Sequence, residues 1–70
     1  MATRKTLNVK GMHCEKCVAR VKNALEGVDG VHAARVSLEK ENAIVKLDED
    51  VADEVLVKAV ETEGFEATPA

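Results

Sequence analysis

Tryptophan and tyrosine are absent from this chain, and Phe65 is its only aromatic residue. Single-stranded RNA and DNA are gripped largely by stacking bases on aromatic side chains. A chain with one aromatic and a formal net charge of −3 is therefore a poor candidate for binding nucleic acid. One proline, four glycines and no internal repeat exclude a disordered or low-complexity chain. No apolar run approaches the ~20 residues that a membrane-spanning helix requires, so membrane insertion is not expected. The opening residues Met1-Ala2-Thr3-Arg4-Lys5 lead straight into a strand-like segment, with no apolar stretch behind the charges. That is not the pattern of a signal peptide. The expected location is the cytoplasm, where thiols stay reduced.

Cysteine is also scarce. Two residues, Cys14 and Cys17, are all there are. A structural zinc site needs four protein ligands, and a second cysteine pair is missing.

The hydrophobic positions that are present fall in two periods. Leu7 and Val9 alternate with polar neighbours and predict a strand over about residues 4–10. Val18, Val21, Leu25 and Val28 recur at helical spacing. They predict a helix over Glu15–Glu26, with Gly27 as its stop. Ala34, Val36 and Leu38 alternate, as do Ala43, Val45 and Leu47, with the polar run Glu39-Lys40-Glu41-Asn42 as the hairpin between them. Asp50 is the expected N-cap of a second helix over about residues 51–63, with Asp53 completing a capping box. Its apolar stripe would be Ala52, Val55, Leu56, Ala59 and Val60. Gly64 ends it, and Phe65 with Ala67 begins a last strand before Pro69. The order β-α-β-β-α-β is that of the split βαβ motif. The expected fold class is α+β, a ferredoxin-like βαββαβ open-faced sandwich with both helices on one face of a four-stranded antiparallel sheet. Residues 1–70 read as a single domain.

On this layout Cys14 ends a loop and Cys17 lies in the first turn of a helix. The amides of a first turn lack intrahelical partners and carry partial positive charge. Lys16 and Arg20 add full charges nearby. Both cysteines are therefore expected to be acidic and reactive. Thiolate selects soft ions, and Cu(I) is satisfied by two or three such ligands. An open two-thiolate site also leaves room for the thiol of a partner to enter, which suits delivery rather than storage. Ag(I), Hg(II), Cd(II) and Zn(II) would bind the same pair in vitro. A different class of function, a thiol–disulfide redox protein, uses the same C-x-x-C spacing. Thioredoxin-like chains, though, are longer and carry an aromatic before the pair and a proline inside it, whereas here the residues are His13, Glu15 and Lys16.

The neighbours have plainer readings. Met12 could offer a thioether, but an apolar residue beneath a helix-opening loop fits a core plug better. His13 is read as an exposed neighbour that tunes the site, with ligation as the alternative. Phe65 is read as core, with its loop able to pack beside the cysteines. His32 is read as a surface residue.

Charge is sorted along the chain. Residues 1–22 carry six Lys/Arg against Glu15 alone, while residues 48–66 carry eight acids against Lys58. Like charges gathered near one site steer partners. Lys16, Arg20 and Lys22 would therefore face an acidic partner surface.

The run Gly11-Met12-His13-Cys14-Glu15-Lys16-Cys17 resembles the G-M-x-C-x-x-C signature of heavy-metal-associated domains. The Gly27-Val28-Asp29-Gly30-Val31 turn and the Glu63-Gly64-Phe65 corner match as well. The resemblance covers essentially the whole chain. It implies the same βαββαβ fold, with Cys14 and Cys17 as metal ligands and Met12 beneath the loop. The family includes bacterial copper chaperones, the N-terminal modules of copper-transporting P-type ATPases and a periplasmic mercury-binding protein. A histidine before the first cysteine is typical of the bacterial chaperones. Phe65 departs from them, since they commonly carry tyrosine there, and phenylalanine is shared with ATPase modules. The resemblance thus implies a carrier rather than an enzyme: a cytoplasmic copper chaperone that delivers Cu(I) to the metal-binding domain of a copper-transporting P-type ATPase. It would act as a monomer, with a metal-bridged dimer as the alternative. An excised ATPase module is the other reading.

Overall fold

The computed structural model describes residues 3–70. Its elements are β1 (Thr3–Lys10), α1 (Glu15–Glu26), β2 (Val31–Ser37), β3 (Asn42–Leu47), α2 (Asp53–Thr62) and β4 (Glu66–Pro69). The four strands form one sheet in the order β2-β3-β1-β4, and every neighbouring pair is antiparallel. This is the ferredoxin-like βαββαβ architecture.

Alternation puts Leu7, Val9, Ala34, Ala43, Val45, Leu47 and Ala67 on one face of the sheet. They share a single buried cluster with Val21 and Leu25 of α1 and with Leu56 and Val60 of α2. Both helices therefore cover the same face. The other face carries the exposed side chains of Arg4, Thr6, Asn8, Arg35 and Lys46. Pro69 falls inside β4, which pairs only with β1. Proline is tolerated there because an edge strand can spare an amide donor.

The second helix departs from expectation. It starts at Asp53, its N-cap is Ala52, and no side chain caps it. Asp50 lies two residues upstream and takes no part. Tertiary burial sets this start. Val51 and Leu56 occupy the positions of a hydrophobic staple, immediately before the N-cap and in the fourth helical residue, and both are buried. Half-buried Lys5 fastens the same loop, donating from Nζ to the Val51 carbonyl at 2.6 Å and pairing with Asp53 at 3.1 Å. Gly30 makes room for it: φ is +93°, and a Cβ there would stand 2.8 Å from Val51 Cγ2. The expected stripe is correspondingly shifted. Leu56 and Val60 are buried and Val57 half-buried, whereas Ala52 is exposed and Val55 is 47% exposed. Phe65 precedes β4 rather than opening it, and β2 begins at Val31 with an irregularity between Val31 and Ala33 that alternation alone did not reveal.

Candidate metal centre

β1 ends at Lys10, and Gly11 turns the chain with φ of +97°, a region that glycine enters at no steric cost. Phe65 packs close by, its Cδ1 3.5 Å from the place a Cβ at Gly11 would take, an ordinary contact distance. The ring of the only aromatic residue thus packs against the start of the cysteine loop. Met12, 7% exposed, is buried in the core beneath that loop, while His13 is exposed. His32 lies elsewhere, on β2, exposed and 3.5 Å from Asp48.

Cys14 is the N-cap of α1, with extended backbone (φ −157°, ψ 172°) and no side-chain capping bond. Its carbonyl accepts from the amides of Cys17 at 3.0 Å and Val18 at 3.2 Å, which closes the first helical turn. A C-x-x-C spacing across an N-cap necessarily turns both side chains to the same side of that turn. The two sulfurs stand 3.7 Å apart, and both thiols are free, Cys14 exposed and Cys17 half-buried. Among the described residues, no group of three or more His, Cys, Asp and Glu side chains is placed to hold a metal ion. Lys16 is exposed beside the pair.

The Cys17 thiol is held below its ordinary range. The largest cause is the backbone amide of His13, followed by the Cys14 side chain; partial burial opposes them, and the Cys14 backbone and the charge of Arg20 add smaller contributions. Donors directed at sulfur favour thiolate over thiol. The chief source is thus a loop amide, a group that no residue pattern reveals. Arg20 also departs from expectation, because its Nε lies 3.5 Å from Glu63 Oε1. It ties α1 to the corner that carries Phe65 instead of projecting freely toward a partner. The sorting of charge along the chain is therefore partly undone where the two helices meet.

One outcome follows for reactivity. As pH falls, a thiol with a lowered pKa keeps its thiolate, and so its nucleophilicity, to lower pH than an ordinary thiol of pKa ~8.5. In the Cys14→Ser variant, alkylation of Cys17 by iodoacetamide should reach half its plateau rate at a lower pH in the folded protein than in urea. Coincident midpoints would remove the role of the His13 amide.

The family model for the heavy-metal-associated domain matches residues 6–66. A copper chaperone, CopZ of Enterococcus hirae, is 41% identical over 61 residues, which are 86% of this chain and 88% of that protein. A mercuric reductase of Acidithiobacillus ferrooxidans is 43% identical over 63 residues, 90% of this chain but only 12% of the reductase. Among solved structures, a copper-binding domain from HMA7, a P-type ATPase, superposes with a TM-score of 0.92 at 35% identity, covering all of this chain and 95% of that domain. No helix of the described residues is long and apolar enough to cross a membrane.

Proposed function

Because this chain belongs to the heavy-metal-associated domain family, we propose that it is a cytoplasmic copper chaperone. It acts as one metal-binding unit that holds a single Cu(I) between Cys14 and Cys17. The observation that carries this reading is the pair of free thiols at an exposed helix start, 3.7 Å apart. Two thiolates suit a soft monovalent cation, and Zn(II), which prefers four ligands, is less well served. The bound ion leaves one net negative charge, which the helix N-terminus and Lys16 offset.

Delivery is ligand exchange without redox change. A thiolate of the acceptor adds to the ion, one Cu–S bond to the chaperone breaks, and the released sulfur takes up a proton from water. A second exchange frees the ion. The acceptor is the metal-binding domain of a copper-transporting P-type ATPase, whose carboxylates Lys16 and Lys22 would approach. Met12 supports the loop from beneath, Phe65 shields its base, and His13 tunes the cysteines without binding metal. The protein carries its cargo and catalyses no reaction.

The mercuric reductase relative favours a second reading, with Hg(II) as cargo on the same two thiolates. Competitive titration under reducing conditions separates these readings. Cu(I) should bind one per chain, displace Zn(II) completely, and move to an ATPase metal-binding domain on mixing. Zn(II) binding as tight as Cu(I), or Cu(I) that stays on the chain while Hg(II) is passed on, would end the copper reading. A thiol–disulfide reductase would instead reduce a model disulfide well above the rate of a free dithiol.

A further inference from the structure

The sheet face turned away from the helices carries a cationic patch that the metal site does not use. Arg4 on β1 and Lys46 on β3 are direct cross-strand partners. Arg35 on β2 lies opposite Ile44, two pairs along from Lys46 and so on the same face of the sheet. All three cations are exposed, and half-buried Ile44 lies among them. Together with Ala33 they line a depression of about 290 Å³. Like charges placed directly opposite each other in a sheet cost stability. Among the described residues none of the three makes an ion pair; the pairs between charged side chains are Lys5–Asp53 and Arg20–Glu63. Asp48, two residues beyond Lys46, lies 3.5 Å from His32, and Glu66 lies at the far end of the face beside Lys10. The patch also sits in a chain whose net charge is −3.

We propose that this face is a second docking site, for an acidic segment of a partner protein whose carboxylates flank an apolar side chain. The guanidinium forks of Arg4 and Arg35 match carboxylates in two-point geometry, and the side chain between the carboxylates would rest on Ile44. Polyanions fit less well. The face has no aromatic on which bases could stack, and three cations on a net-acidic domain give little attraction to a lipid surface. Arg4 is six residues from Lys10, where the metal loop begins, which is about 20 Å along an extended strand. The partner could therefore remain bound while the thiols exchange metal. The proposal is independent of which ion the thiols carry.

The probe is a short synthetic peptide with glutamates on either side of a leucine, titrated into isotope-labelled metal-free protein. Amide shifts should saturate and map to Arg4, Arg35, Ile44 and Lys46, and binding should weaken as salt screens it. Arg35→Glu with Lys46→Glu should reduce affinity by at least about tenfold, while Cu(I) affinity stays as in the parent. Lys46→Glu alone should also raise the thermal midpoint, because it replaces a repulsive cross-strand pair by an attractive one. That readout shows the variant to be folded. Shifts elsewhere, affinity unchanged by the reversals, or saturable binding of phosphatidylserine vesicles or single-stranded DNA in place of the peptide would each overturn the proposal.

Discussion

Replacing Cys14 and Cys17 together by serine is expected to lower Cu(I) affinity by at least about a thousandfold, since a neutral hydroxyl is a hard, weak donor for a soft ion. The fold should survive. Both thiols are free, so no disulfide is lost, and Cys17, half-buried against the edge of the core, is replaced by a side chain of similar shape. Stability can even rise. Cys14 occupies an N-cap without a capping bond, and serine there can accept from a first-turn amide, an interaction worth about 1 kcal/mol against alanine. A thiol at that position thus forgoes a better cap. The check is competition for Cu(I) alongside chemical denaturation of the metal-free variant. Retained tight binding would remove both cysteines from the site, and an unfolded variant would give them a structural role.

The second large effect lies in α2. Leu56→Ala should cost roughly 2–5 kcal/mol, the range for truncating a fully buried leucine, because Leu56 is 0% exposed within the core. A domain of this size has only about 3–5 kcal/mol to lose, so the variant should be largely unfolded near room temperature. Its neighbour gives the contrast. Val55, 47% exposed, should tolerate alanine within about 0.5 kcal/mol. Urea denaturation of the two variants decides the matter, and equal losses would return the helix to the orientation that periodicity alone suggested.

That pair of residues also marks how far the sequence can be read. Element order, the limits of α1 and the inward rows of β1 and β3 were legible, because alternation and helical spacing record which side chains leave water. The C-x-x-C run was legible for another reason. Its chemistry is local, and two thiols three residues apart across a helix start must face the same way whatever the rest of the chain does. The helix-opening glycine loop, with Met12 buried and His13 exposed, belongs to the same class.

What sequence alone could not supply depends on contacts between distant segments. Asp50 has the right chemistry for a cap, yet α2 begins at Asp53, because burying Val51 against the core and tying the loop to Lys5 fix the rotation of the helix. The amide that most acidifies Cys17 belongs to His13 and has no residue signature. Arg20 read as a free charge until the fold set Glu63 beside it, and Phe65 met Gly11 only once β4 had paired with β1. The repulsive pair of Arg4 and Lys46 likewise exists only in the register of β1 on β3. Local pattern determined the elements and the thiol pair. Tertiary structure decided what surrounds them, since apolar burial and long-range pairing outweigh the ~1 kcal/mol that a cap or a single charge can contribute.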